Sequence, residues 1–301
     1  MKAVFTTKVD PTYDDLPEDR YHFSRTYLKV VEAAAGDWII YYEPRRTSGD
    51  LSSRGGRQAY FATARVREII PDPTRPDHFY AFMDDFVPFP RAVPFKEGTR
   101  YYEESLQRTD GATNKGAFGR AVRPLSESEY DAVVRSAMAT ILPAPSTRLP
   151  EGAAAPYEFA DEPMEFERPV VERLTSRPVR DAAFAAAVKD AYHETCAVTG
   201  LRLINGGGRT EVQAAHIKPV AASGPDSPRN GLALSGTVHW MFDRGLISVG
   251  DDHALLVAER HVPESARRLF LPSGKLLLPE RPDLRPHPKF LAWHRAEVFK
   301  G

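Results

Sequence analysis

Residues 211–220 read EVQAAHIKPV. A short apolar, strand-like run ends in His216 and is closed by Ile-Lys-Pro. An imidazole in that place has two readings: it fills a slot at the end of a strand, or it is held at the mouth of a site. Taken alone the first is the commoner outcome, because a single histidine among small apolar residues usually serves packing. The residues downstream of His216 decide between the two readings, and with them the fold.

Downstream come Asn230-Gly-Leu-Ala-Leu-Ser235 and then Gly-Thr-Val-His-Trp-Met-Phe-Asp-Arg-Gly245. Ser235 is a suitable N-cap and Gly245 stands where a helix C′ glycine belongs, which leaves room for about two helical turns. On such a helix His239 and Asp243, four residues apart, share one face. An imidazole and a carboxylate stacked there can chelate a divalent cation from one rigid element. Upstream, Leu201–Ile204 and Glu211–Ala215 are two short strand candidates joined by NGGGRT, a sequence suited to a tight hairpin turn. No helix comes after the glycine triplet, so it lacks the context of a phosphate-binding loop. Before it, Arg180–Tyr192 is rich in strong helix formers.

The order hairpin, His216, Asn230 loop and short helix with His239 and Asp243 resembles the HNH endonucleases and their ββα-metal fold. The resemblance rests on AHIKP, NGLAL and HWMFDRG and covers about residues 192–250. It implies that His216 is the general base that deprotonates water attacking a phosphodiester, a task suited to a group titrating near neutrality. It further implies that His239 and Asp243 hold one divalent ion, Mg²⁺ or Mn²⁺, and that Asn230 positions the loop and, through its amide, the base. His216, Asn230 and His239 are thus the expected catalytic set. Family members often carry a second metal ligand just before the base, where this chain has Ala215, and others carry paired cysteines for zinc, where this chain has only Cys196. No structural zinc is expected, and Trp240, Phe242 and the helix 180–192 are the candidates for a core held by packing alone.

The first third of the chain alternates β-rich runs with turns. Trp38–Tyr42, Tyr60–Arg67 and His78–Met83 have the aromatic and β-branched bias of strands, and TSGDLSSRGG between the first two reads as a loop. Thr26–Ala35 reads as an amphipathic helix ending at Gly36, and Ser126–Leu142 as a helix that closes the domain. The sum is a small mixed β-barrel-like domain with helices. The stretch from Tyr13 through Tyr21-His-Phe-Ser-Arg-Thr-Tyr-Leu28, with GDWIIYYEPRR after it, is similar to the EVE domains of the PUA-like superfamily over about residues 1–125.

That resemblance implies recognition of a modified base in an aromatic pocket, for which Tyr21, His22, Phe23, Ser24, Trp38 and Tyr42 are the candidates. A flipped base needs flat π faces to replace its lost stacking. The alternative for Trp38 and the strand aromatics is barrel core. Arg45, Arg46, Arg54 and Arg57 belong to a run of arginines opposed locally by Asp50 alone, and they would contact backbone phosphates, unless the run is simply a solvated face.

The fold class expected is therefore α+β: a PUA-like, EVE-type mixed β-barrel with helices over 1–142, a Pro/Ala/Glu-rich linker over 143–170, and a ββα-metal nuclease domain with flanking helices over 171–301. In the last segment Pro279–Pro288 reads as an extended strap and Lys289–Val298 as a short amphipathic helix, with His287 and His294 expected at the surface. The net charge of −1 neither demands nor excludes a polyanionic partner. No long apolar run exists and MKAVFTTKVDP lacks the apolar core of a signal peptide, so a cytoplasmic protein without membrane association is expected.

The combined resemblance is to modification-dependent restriction endonucleases of the EVE-HNH group. It implies cleavage of double-stranded DNA carrying 5-methyl- or 5-hydroxymethylcytosine by a homodimer, since a duplex break requires two nuclease domains. The rival readings are an HNH nuclease indifferent to modification, a nucleic-acid-binding module with an inactive HNH scaffold, and an aromatic pocket that serves RNA.

Overall fold

The computed structural model describes residues 1–141 and 174–301. The expected linker lies outside the described residues. In the first part, β1 (Lys2–Thr6), β2 (Arg20–Ser24), β3 (Trp38–Glu43), β4 (Ala59–Pro71) and β5 (His78–Pro94) are followed by a two-residue ladder, β6 (Lys96–Glu97) and β7 (Arg100–Tyr101), and by β8 (Val122–Leu125). Six of these strands form one mixed sheet in the order β2-β5-β4-β3-β1-β8, with β1 and β3 parallel and every other pair antiparallel. The sheet curls into a half-barrel. The hydroxyl of Tyr21 on edge strand β2 reaches the carbonyl of Thr6, at the end of β1, at 3.2 Å. The three strands expected from the sequence are β3, β4 and the first part of β5, and the structure adds β1, β2 and β8 to them.

Strand β3 is buried throughout, and its alternation decides where its aromatics go. Trp38, Ile40 and Tyr42 enter one core with Tyr130, Val133 and Val134 of helix α3 (Glu127–Ala137), while Ile39 and Tyr41 enter the other with Phe5, Tyr21 and Phe23. Helix α3 starts at Ser126 with a full capping box to Glu129. Two shorter helices, α1 (Leu28–Ala33) and α2 (Lys115–Phe118), complete this part. The helix expected over 26–35 is a 3-10 turn followed by α1.

Between Thr63↔Val87 and Arg65↔Asp84, β5 spends one more residue than β4, a bulge in which Asp85 has φ +52°. The bulge turns the Asp85 carboxylate outward, 2.8 Å from Arg65 and 2.8 Å from Arg180 of the second part.

The second part begins with α4 (Arg177–Ala191) and continues with β9 (Gln213–His216), β10 (Gly231–Leu234), α5 (Gly236–Asp243), β11 (Ile247–Val249), β12 (Leu255–Val257), α6 (Glu264–Arg267) and α7 (Pro288–Glu297). The β-hairpin is not the one expected. Asn205–Thr210 does turn, held by the Ile204↔Thr210 bridge, but β9 pairs with β10 across the longer loop 217–230. The short first run, Leu201–Ile204, is exposed and buries too little to hold a strand.

One core gathers Phe184 and Val188 of α4, Ala215, Leu232 and Leu234 of the hairpin, Val238 and Phe242 of α5, and Phe290 of α7. Trp240, expected there, is 57% exposed, because α5 turns residues 238, 241 and 242 inward. His294, expected at the surface, is buried. It bonds Ser248 Oγ at 2.9 Å and the Phe242 carbonyl at 3.1 Å, and it stacks on the Phe242 ring. Among the described residues no helix is long and apolar enough to cross a membrane.

Candidate functional site

His216 is the last residue of β9, in register with Gly231 of β10. A Cβ on Gly231 would lie 2.4 Å from Val188 Cγ2 and about 3 Å from the Phe184 ring, so the glycine lets α4 sit tightly on the hairpin. Phe184 then covers the His216 imidazole, ring on ring at 3.8 Å. His216 Nε2 lies 3.0 Å from Oδ1 of Asp226, a residue that no sequence motif singles out. Asp226 stands in GPDSPRN, where an aspartate beside Ser-Pro reads as a turn former, and nothing local signals its role.

Asp226 is fully buried and also receives Arg177, at 2.9 and 3.1 Å, and Arg180 Nε at 2.8 Å. Burial by itself would raise its pKa. The hydrogen bonds from His216 and Arg177 and the charges of the two arginines outweigh that and hold it at about 2. Arg177, Arg180 and Phe184 stand at helical spacing on one stripe of α4, so a single helix supplies both the grip on Asp226 and the cover on His216.

Asn230 is buried and clasps the loop. Its Oδ1 accepts the Lys218 N–H at 2.9 Å, and its Nδ2 donates to the carbonyls of Lys218 and Pro225 at 2.9 and 3.0 Å. The expected contact from this amide to His216 is replaced by backbone contacts to the loop beyond it. The side chain that touches the His216 ring nitrogen is Asp226.

Helix α5 projects His239 and Asp243 into the same cleft, with Nε2 and Oδ2 3.4 Å apart. Gly245, at φ +70°, ends the helix turn where a side chain would strike the Val298 carbonyl. The cleft, about 460 Å³, is lined by His216, His239, Asp243, Arg177, Asp181 and His294 among others. Burial pushes the His294 pKa down to about 4, so this wall residue is neutral at physiological pH. Ala215 points into the core, and Ala214 is the alanine that lines the cleft beside His216.

His239 Nδ1 lies 2.7 Å from Gln213 Oε1. A carboxamide oxygen only accepts, so Nδ1 carries the proton and Nε2, beside Asp243, presents a lone pair. The pair therefore fits one divalent cation with a nitrogen and an oxygen donor. Among the described residues no group of three or more His, Cys, Asp or Glu side chains is arranged to hold an ion, so other positions of the shell would fall to water or phosphate oxygens.

A second cavity, of about 430 Å³, opens in the first part. Tyr21, His22, Phe23 and Ser24 line it, and Trp38 and Tyr42 do not, because they belong to the α3 core. His22 stacks on Tyr80 with ring centroids 4.5 Å apart. Asp15, also missed from sequence, lines the cavity and accepts the His22 N–H at 2.8 Å and the Thr7 hydroxyl at 3.2 Å. Burial pushes its pKa up to about 6 against those two bonds.

The arginine run does not act as a unit. Arg45 and Arg46 line this cavity, and Arg54 folds back onto the carbonyls of Leu51 and Ser53. Arg57 is bound to Glu43 at 2.6 Å, lies over Phe61 and faces Asp283, so it closes a contact between the two parts and is not free for phosphate. Acids distant in sequence, Asp85 for Arg65 and Asp84 for Arg67, supply much of the opposition, and Glu68, the neighbour of Arg67, adds to it.

Residues 196–250 match the HNH endonuclease family. No curated protein matches the chain. Among solved structures the chain is similar to the modification-dependent TagI restriction endonuclease, at 15% identity and TM-score 0.32, over 98% of this chain and 81% of that one. It is also similar to the N-terminal domain of Staphylothermus marinus McrB, at 13% identity and TM-score 0.29, over 44% of this chain and 92% of that one. The phosphorothioation-dependent restriction endonuclease ScoMcrA matches at 15% identity and TM-score 0.20, over 89% of this chain and 52% of that one.

Proposed function

We propose that this chain is a metal-dependent DNA endonuclease that cuts double-stranded DNA carrying modified cytosine, with the second cavity receiving the flipped base. The observation that carries the reading is the meeting of His216 with His239 and Asp243 across one cleft, within the stretch that matches the HNH endonucleases. In this reading His216 takes the proton of the attacking water, whose oxygen forms a bond to phosphorus as the bond to the leaving oxygen breaks. His239 and Asp243 would hold one Mg²⁺ or Mn²⁺. Such an ion supplies positive charge to the phosphate and leaving oxygens in the transition state. Asn230 keeps loop 217–230 in the shape that sets His216 and Asp226 side by side.

The cavity has the size of a ligand pocket and combines aromatic faces with a few polar groups. Tyr21, His22 and Phe23 offer the faces, Ser24 a hydroxyl, and Asp15 a carboxylate able to accept the exocyclic amine of cytosine. Arg45 and Arg46 at its edge would hold backbone phosphates. A duplex break made by one such site per chain calls for two copies, hence a homodimer.

The test is cleavage, with Mg²⁺ or Mn²⁺, of one DNA amplified with ordinary dCTP or with its 5-methyl or 5-hydroxymethyl form. Cutting restricted to the modified DNA is the expected result. Equal cutting of all three removes modification dependence and leaves a plain nuclease. Binding without any cutting leaves a recognition module on an inactive scaffold.

A further inference from the structure

The contact to His216 does not end at Asp226. Asp226 is gripped by Arg180 Nε at 2.8 Å, and Arg180 Nη1 in turn lies 2.8 Å from Asp85 Oδ1. Asp85 belongs to the bulge of β5 in the first part, where its other oxygen lies 2.8 Å from Arg65. A continuous chain of charge-assisted contacts therefore runs from the β4–β5 pair of the first part, through α4, to the imidazole.

We propose that Asp226 is a positioning residue that fixes the tautomer of His216, and that Asp85 of the first part holds Asp226 in place through Arg180. The proposal rests on the reading of His216 as general base. Its chemistry comes from the donors. An ionised carboxylate only accepts, so His216 Nε2 carries the ring proton and Nδ1 is left as the basic nitrogen. When Nδ1 takes a proton from water the ring becomes an imidazolium, and the adjacent Asp226 carboxylate stabilises it while remaining ionised itself. A carboxylate with both oxygens bound by two arginines can neither rotate away nor pick up that proton. Arg177 also pairs with Asp181 on its own helix, so Arg180 is the arm of the grip that reaches the first part.

The bulge matters because it supplies the geometry. Asp85 holds a positive φ, a conformation that aspartate tolerates better than most residues, and that backbone places its carboxylate between Arg65 and Arg180. The nuclease cleft is thereby completed by a residue of the domain that carries the second cavity.

The experiment measures cleavage by the full chain with His216→Ala, Asp226→Asn, Asp85→Asn and the double variant His216→Ala/Asp226→Asn. Asp226→Asn keeps the shape and loses the charge, so kcat falls by ~10²-fold or more with KM for DNA unchanged, as loss of a tautomer-fixing carboxylate does elsewhere. The charged groups around the pair are Arg177, Arg180, Asp181 and Asp85, with His239 and Asp243 across the cleft. Because the variant removes only Asp226 from this set, the acid limb of its pH–rate profile, the limb on which a general base loses its proton, moves to lower pH. Added to His216→Ala, Asp226→Asn costs nothing further, because it acts through a ring no longer present. Asp85→Asn lowers kcat about 5-fold or more while leaving the affinity for modified DNA unchanged.

Wild-type kcat in Asp226→Asn, or its full loss repeated on the His216→Ala background, overturns the positioning role. Wild-type kcat in Asp85→Asn overturns the link between the two parts even if Asp226→Asn fails to fold. Wild-type cutting by His216→Ala instead sinks the general-base reading on which the proposal stands.

Discussion

The His216 imidazole lies flat against Phe184, with ring centroids 3.8 Å apart and planes 12° from parallel. One face of the ring is thus closed by α4 and one nitrogen by Asp226, which leaves the imidazole a single orientation toward the cleft.

Phe184→Leu keeps an apolar side chain beside Val188 and Gly231 but gives up the flat cover. We expect a stability loss of about 1–2 kcal/mol by chemical unfolding and a fall in kcat of roughly 10-fold from the freed ring. Phe184→Ala, which leaves a cavity, should cost about 3–5 kcal/mol. Unchanged kcat in the leucine variant would show that the stack serves packing alone.

Gln213 reaches His239 from the start of β9 and sets which nitrogen faces Asp243. Gln213→Leu leaves both candidate ligands in place and removes their orienting partner. The Mn²⁺ concentration giving half-maximal cleavage should rise by about 10- to 100-fold. A titration curve superimposable on that of the wild type would separate Gln213 from the metal.

Two carboxyls are displaced in opposite directions, and stability should track each. Asp226 is held at about 2, below the ordinary aspartate value, so it contributes stability that is present above pH ~4 and lost as pH falls through 2. Asp15 is raised to about 6, so its ionisation costs about 3 kcal/mol above pH 6, a cost that vanishes below pH ~4. Accordingly Asp226→Asn should destabilise at pH 7 by about 2 kcal/mol, and Asp15→Asn should stabilise. In urea unfolding at pH 3 the Asp15 effect should vanish and the Asp226 effect should fall to about half, and an Asp15→Asn protein weaker than wild type at pH 7 would contradict the burial argument.

The arginines of the first part should divide by their partners. Arg45→Ala with Arg46→Ala should weaken binding to modified and unmodified duplex alike and flatten the salt dependence of log K by about 2. Arg57→Ala should leave that slope alone and lower the melting temperature, because Glu43 is almost fully buried and would lose one of its two guanidinium partners, keeping Arg281 at 2.7 Å and the backbone N–H of residue 57 at 2.8 Å. A slope that changes with Arg57 would return it to the phosphate contacts.

Much of the candidate site is legible in the sequence because its information is local. The spacing of His239 and Asp243 and the stop at Gly245 are properties of one short helix, and the structure forms that helix as Gly236–Asp243, with Ser235 at the N-cap position but Glu211, not the Ser235 hydroxyl, accepting the Gly236 N–H. The helix over 180–192 comes from composition in the same way. The misreadings are of another kind. The size of Trp240 points to the core, whereas the helical phase turns it outward. The polarity of His294 points to the surface, whereas Ser248 and the Phe242 carbonyl satisfy both ring nitrogens in the interior. The aromaticity of Trp38 and Tyr42 points to the pocket, whereas the alternation of a strand buried on both faces sends them under α3.

By itself the sequence determined the elements whose residues are neighbours along the chain: the α5 pair, the helix over 180–192 and the β-rich first part. Only the tertiary structure decided that β9 pairs with β10 instead of with 201–204, that Asp226 meets His216, and that Asp85 reaches across to Arg180 from 95 residues away. The reason is physical. A helix or turn is specified by backbone bonds and side-chain spacing within a few residues, whereas an ion pair between distant segments exists only once buried apolar surface has brought them together and excluded the water that would otherwise screen it.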